Sequence, residues 1–184
     1  MILASGSPRR RELLGELGLE FTIGQIKDYD ETYPASLKYD EIPAYIAEQK
    51  SRHYTQKLKK EDILITSDTI VAIDGDILGK PNDKSEAIKM LRELSGRTHH
   101  VVTGVCLRST DKTLTFSDTC QVTFDILSDE DIEYYVDNFK PFDKAGAYGI
   151  QEWIGLSNIK SIIGSVYTVI GLPVQQLYKA LMLF

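Results

Sequence analysis

Four short segments carry residue types that could do chemistry together. The first is Ser5-Gly6-Ser7-Pro8-Arg9-Arg10-Arg11-Glu12. Ser7 suits a helix N-cap and Pro8 the first helical position, where a missing N–H costs nothing. Free N–H groups and the macrodipole already make a helix start positive, so acids are favoured there and arginines are not. Arg9 and Arg10 are well placed only if an anion joins them, and forked guanidinium donors at a helix N-terminus bind phosphate well. A solvated basic turn is the competing reading. The second segment is Asp30-Glu31, an acidic pair in a polar stretch; alone, such a pair is far more often a solvated turn than a site.

The third segment, Thr66-Ser67-Asp68-Thr69, interrupts two apolar runs. A carboxylate there is expected to be partly buried, and buried carboxylates are rare without a partner. Asp68 reads as a metal or base position at a strand end, or as a turn residue satisfied by backbone N–H groups. Downstream, Gly79-Lys80-Pro81 sets Lys80 at the end of a hairpin's second arm, able to reach back toward Asp68. The fourth segment is Asp143-Lys144-Ala145-Gly146-Ala147-Tyr148-Gly149-Ile150-Gln151. Its glycines and alanines let backbone approach a ligand closely. Lys144 brings charge, and the Gln151 amide can both donate to and accept from a nucleobase edge.

The rest of the chain narrows the class. With 184 residues and a net charge of −6, one domain is expected, and a broad nucleic-acid-binding surface is not. The arginine triplet is then a local positive spot on an acidic protein, suited to a small anion. No apolar run is long enough to span a bilayer, and the N-terminal residues lack a signal-peptide pattern. Cys106 and Cys120 form no CxxC pair, and two free thiols fit a cytoplasmic protein. P-loop, dinucleotide-binding, HExxH and nucleophile-elbow signatures are missing, and the histidines are not spaced as zinc ligands. Arginines, lysines and acids without a thiolate cluster point to phosphate chemistry with a hard divalent cation.

The elements that must position these residues alternate between strand and helix patterns. Residues 1–5 and 21–26 read as strands and 8–18 as an amphipathic helix. Residues 41–58 read as an exposed helix. Residues 63–66 and 69–73 read as strands, with Asp74-Gly75-Asp76 as a hairpin turn. A helix is expected over 83–94, closed by Gly96, then two long strands over 100–108 and 113–124. Ser128 followed by acids opens another helix. Residues 141–149 read as a loop, 159–163 and 166–170 as short strands or turns, and Pro173 opens a last helix. The result is one mixed α/β unit with hairpins.

Taken in order, these segments resemble the Maf family of nucleoside triphosphate pyrophosphatases. The resemblance rests on Leu3-Ala4-Ser5-Gly6-Ser7-Pro8-Arg9-Arg10, Asp30-Glu31, Ser67-Asp68-Thr69-Ile70-Val71 and Gly79-Lys80-Pro81. It continues through Ser95-Gly96-Arg97-Thr98-His99-His100-Val101-Val102-Thr103-Gly104-Val105 and the segment from Asp143 to Gln151, and ends with Gly164-Ser165-Val166-Tyr167 and Gly171-Leu172-Pro173. Lys50-Ser51 stands where the family usually has Lys-Ala.

The resemblance implies one Maf-like domain over 1–184: a twisted mixed α/β sheet flanked by helices, in two lobes with a nucleotide cleft. It implies hydrolysis between the α and β phosphates. With Arg9, Thr69 and Gln151 together, it resembles the subgroup preferring dTTP and UTP. Ser7, Arg9 and Arg10 would hold the triphosphate, with Lys144 a further substrate contact and Lys50 and Lys80 neutralising the departing pyrophosphate. Glu31 and Asp68 would hold Mg²⁺ or Mn²⁺. Asp68 would serve as base, metal ligand or both, and Thr69 and Gln151 would read the base. A homodimer is implied, with neither a nucleic-acid polymer nor a membrane as partner. The alternative is a non-catalytic nucleotide-binding regulator of septum formation and cell division.

Overall fold

Strand β1 (Ile2–Leu3) runs into the Ser-Gly-Ser-Pro segment, where Pro8 begins helix α1 (Pro8–Glu16). The structure is a computed structural model that describes residues 1–29 and 31–184. Asp30, half of the acidic pair, lies outside the described residues. The other elements are β2 (Thr22–Ile23), α2 (Ile42–Arg52), β3 (Leu64–Ile73), β4 (Asp76–Leu78), α3 (Lys84–Leu94), β5 (Thr98–Arg108) and β6 (Thr113–Phe124). After them come α4 (Asp129–Phe139), a 3₁₀ turn (Ala145–Ala147), α5 (Trp153–Asn158), β7 (Ile159–Ile163), α6 (Val166–Ile170) and α7 (Val174–Leu183).

The strands form a seven-stranded mixed sheet in the order β2-β1-β3-β5-β6-β7, with β4 paired to β3. Strand β1 is parallel to both β2 and β3, whereas β3–β4 and β6–β7 are antiparallel. The β3–β4 hairpin turns on Asp74-Gly75, both at positive φ (53° and 95°). That is the type I′ pattern, whose twist matches the paired strands. The mixed sheet flanked by helices agrees with the sequence expectation. No helix among the described residues is long and apolar enough to cross a membrane.

Three local expectations change. Residues 64–73 make one unbroken strand, so Asp68 stands mid-strand rather than at a strand end. Residues 166–170 are helical, and 153–158 form a short helix that the apolar pattern did not separate from its surroundings. Helix α2 stops at Arg52, because the backbone N–H of His53 closes the last turn onto the Gln49 and Lys50 carbonyls.

Packing divides the chain into two compact units. The first holds Met1–Thr69, Thr103–Asp118 and Gly171–Phe184; the second holds Ile70–Val102 and Thr119–Ile170. In the first, Leu3, Leu14, Ile46, Ala47, Leu64, Ile65, Val105 and Leu177 are buried. Here Gly104 sets the distance between β5 and α2. A Cβ on Gly104 would stand 2.1 Å from the Pro43 and Ala44 backbone, so only glycine lets the helix start lie this close. In the second unit, Met90, Leu91 and Leu94 of α3 and Ile132, Tyr135 and Val136 of α4 pack with Val122 and Phe124. Ser128 and Asp83 cap these two helices through Asp131 N–H and Glu86 N–H.

Gly104→Ala is expected to lower stability by about 1–3 kcal/mol through overpacking against α2. Urea unfolding of the purified variant measures it, and an unchanged midpoint would exclude the tight helix–strand contact.

Candidate active site

Strand alternation sends Thr66 and Asp68 to one face of β3, and Ser67 and Thr69 to the other. On the first face lies α2. The Thr66 hydroxyl donates to the Ala47 carbonyl at 2.6 Å. One helical turn further along, Lys50 Nζ donates to Asp68 Oδ1 at 2.6 Å. Two contacts at i, i+2 on the strand and i, i+3 on the helix fix the register of one against the other. Lys50 Nζ also lies 3.1 Å from Glu31 Oε1. The Lys50 and Asp68 side chains are only 15% and 13% exposed, while Glu31 is 51% exposed. One ammonium therefore brings together two carboxylates that are 37 residues apart in sequence.

On the other face, Arg10 points inward. Its Nε donates to the Gly171 carbonyl at 2.7 Å, its Nη1 to the Ser67 carbonyl at 2.9 Å, and its Nη2 to the Thr69 hydroxyl at 2.9 Å. Thr69 in turn shares a 2.9 Å hydrogen bond with Thr103. Burial pushes the Arg10 guanidinium below its usual value, Asp68 opposes that and Arg9 adds to it. At least three of its five N–H donors are engaged by the protein. Arg10 is thus a brace across Ser67, Thr69 and Gly171.

Ser7 has the extended backbone of an N-cap, but its side chain makes no capping bond. Its own N–H donates to the Ser5 hydroxyl at 3.2 Å. No acid occupies the first turn of α1. Ser7 and Arg9 are half-buried at this helix start.

Tyr29 was not singled out by its sequence context. Its ring stacks on His53, centroids 4.3 Å apart and planes 12° from parallel. Burial first, then Glu31 and Asp68, raise its phenol above the ordinary tyrosine value.

In the second unit, Lys144 is also turned into the protein. Its Nζ lies 2.7 Å from Asp143 Oδ1 and 3.1 Å from Glu152 Oε1, and the side chain is 9% exposed. The Tyr135 hydroxyl donates to the other Glu152 oxygen and accepts from Gly149 N–H at 3.0 Å. Gly146 N–H donates to the Gly79 carbonyl at 3.0 Å. Gly146 sits at φ +66°, and a Cβ there would fall 2.9 Å from Val71 Cγ2, so both backbone and space require glycine. The loop is therefore rigidly framed, with Gln151 exposed after it and Lys80 exposed beyond β4. Tyr135 and Glu152 were missed in the sequence, since nothing in a helical tyrosine or a lone glutamate marks a network. His99, fully buried in β5, binds the Tyr148 hydroxyl at 2.7 Å through Nε2, while its Nδ1 has no partner.

The donor set suits a hard divalent cation. Asp68 and Glu31 both offer carboxylate oxygens beside the Lys50 ammonium, and magnesium is commonly held by one or two carboxylates plus substrate phosphates. Among the described residues no group of three or more His, Cys, Asp or Glu could hold an ion by itself. Such a site would need phosphate oxygens to complete it.

The Maf-like protein family model matches residues 1–184, and the chain belongs to this family. A dTTP/UTP pyrophosphatase of Bacteroides thetaiotaomicron is 51% identical over 181 residues, covering 98% of this chain and 94% of the relative. Another dTTP/UTP pyrophosphatase, from Porphyromonas gingivalis, is 51% identical over 183 residues, covering 98% and 92%. The dTTP/UTP pyrophosphatase of Flavobacterium psychrophilum is 48% identical over 182 residues, covering 99% and 93%.

Burial, reinforced by His100, pushes His99 down to about 4 from the usual 6.5. The unfolded chain therefore takes up this proton first as pH falls. The His99 contribution is intact above about pH 6.5, declines toward pH 4 and is flat below it, a loss of about 3 kcal/mol. Unfolding midpoints measured across that window should fall for the natural chain. For His99→Gln they should fall less steeply; parallel curves would refute the buried neutral imidazole.

Proposed function

We propose that this chain is a nucleoside triphosphate pyrophosphatase that hydrolyses the α–β phosphate bond of dTTP and UTP to the monophosphate and pyrophosphate. The observation that carries this reading is the Lys50–Asp68–Glu31 cluster on the face of β3. A nucleotide-binding module has no need of two carboxylates there, because they repel a triphosphate. An enzyme that must activate water beside phosphate has such a need. The names of relatives about 50% identical over nearly the whole chain support the same substrates.

In this reading Ser7, Arg9 and the first-turn N–H groups of α1 hold the phosphates. Asp68 orients the attacking water or takes its proton, and Lys50 keeps that carboxylate in place. Lys50 and Lys80 offset charge as pyrophosphate departs, which is transition-state stabilisation by fixed groups. Arg10 adds positive field while bracing Ser67 and Thr69 on either side of Asp68. Lys144 acts through the loop it fastens. Thr69 and Gln151 select the base: a glutamine amide accepts from N3–H and donates to O4 of uracil or thymine. Glu31 and Asp68 are the residues that would hold Mg²⁺ or Mn²⁺. Such an ion, when bound, neutralises phosphate charge. The reading includes a single catalytic domain over residues 1–184, a homodimer, a cytoplasmic setting and no nucleic-acid polymer as partner.

Asp68→Asn should lower pyrophosphate release from dTTP and UTP at least ~100-fold, on the scale of removing a general base, with the thermal transition retained. Near-natural release by that variant would sink the mechanism. No pyrophosphate from any nucleoside triphosphate with Mg²⁺ or Mn²⁺ would favour the non-catalytic regulator instead. Arg9→Ala should raise KM for both nucleotides about tenfold or more, the scale of a lost charge-assisted hydrogen bond; an unchanged KM would remove Arg9 from the phosphate site.

A further inference from the structure

Tyr29 has a buried hydroxyl with no hydrogen-bond partner, one of the few such side-chain atoms among the described residues. An unmade bond on a buried donor is costly, so a protein that keeps one has a use for it or loses stability without return. The hydroxyl is not adrift on a loose loop. Lys27 N–H donates to the His53 carbonyl at 2.9 Å, Thr55 N–H donates to the Gln25 carbonyl at 3.2 Å, and Ile26 bridges Tyr54. These bonds bind the segment leading to Tyr29 against the end of α2. The ring is then pressed flat on His53, whose own Nδ1 is fixed to the Gln49 carbonyl at 2.9 Å. Lys50 projects from the same last turn of α2. The turn that presents the ammonium to Asp68 thus also holds the phenol.

Glu31 stands two residues beyond Tyr29 and shares the Lys50 ammonium with Asp68, yet neither carboxylate accepts the hydrogen of the hydroxyl. What is missing is an acceptor, and the chemistry of the place narrows it. A neutral O–H donor beside two carboxylates and one ammonium suits an anionic oxygen brought in from outside, because it adds a hydrogen bond without adding charge.

We propose that Tyr29 is a substrate-binding residue, whose hydroxyl donates to an anionic oxygen of a polyphosphate seated at the Lys50–Asp68–Glu31 cluster. The proposal rests on the pyrophosphatase reading for its substrate but not for its test. Its rival is a purely structural phenol that Glu31, half-exposed, swings in to satisfy.

Tyr29→Phe keeps the ring and the His53 stack and removes only the donor. Three quantities decide the matter on the natural chain and this variant: the melting temperature, the Kd of inorganic tripolyphosphate, and KM and kcat with dTTP. The expected result is a melting temperature unchanged or raised by roughly 2–4 °C, since an unsatisfied donor is gone. Tripolyphosphate Kd and dTTP KM should both rise about tenfold, the scale of a lost hydrogen bond to a charged group, with kcat within about threefold. Unchanged Kd and KM overturn the proposal, and a lowered melting temperature beside them establishes the structural rival. If the natural chain binds tripolyphosphate but releases no pyrophosphate from dTTP or UTP, the pyrophosphatase reading fails while the Kd comparison still decides Tyr29. If it binds neither compound, both fall.

Discussion

The Lys50 ammonium is what allows a carboxylate to stand in the middle of β3. Aspartate is poor in strands, and an unpartnered buried carboxylate costs several kcal/mol. With Lys50 Nζ at 2.6 Å the charge is matched and hydrogen-bonded, and the strand runs unbroken through Ser67-Asp68-Thr69. The dependence runs further back. Lys50 reaches Asp68 only because Thr66 holds the Ala47 carbonyl one turn earlier on α2. Helix α2 lies close enough only because Gly104 has no Cβ to meet Pro43 and Ala44. A glycine on β5 and a threonine on β3 thus govern the position of a lysine that touches neither.

The opposite face of β3 is held by a different device. Arg10 spans Ser67, Thr69 and Gly171, the last 161 residues away in sequence. A planar fork with fixed N–H directions can satisfy several acceptors at once where a lysine could not. Asp68 is therefore flanked by two residues that cannot drift, and its own side chain is pinned from the other face. The proposed role of Asp68 depends on such positioning, since small misplacements of a group acting on water near phosphate cost large factors in rate.

Much of this could be read in the residues, and the failures share a cause. Caps and turns are local chemistry, so Ser128 with its acids and Asp74-Gly75 signalled their elements correctly. The long β5 and β6 patterns were equally plain. Residues 166–170 are largely β-branched and read as a short strand or turn, yet they fold as a short helix because tertiary context overrides propensity. Glu31, Lys50 and Asp68 were each candidates, but their meeting is a long-range event with no local pattern. The same blindness applies to direction. An arginine at a helix start and a lysine in a glycine-rich loop both look like ligand contacts, and sequence cannot say whether such a cation faces a ligand or the protein.

Arg10 and Lys144 give the same answer to that question in the two units. Each is a cation from a chemically suggestive segment, and each is drawn inward onto acceptors of its own unit: carbonyls and a hydroxyl for Arg10, Asp143 and Glu152 for Lys144. Groups so engaged shape a site by geometry more than by free charge. Among the described residues, the braces leave Lys80 and Gln151 exposed in the second unit and the Tyr29 hydroxyl without a hydrogen-bond partner in the first. Within the arginine triplet, Arg10 is the member whose guanidinium braces Ser67, Thr69 and Gly171.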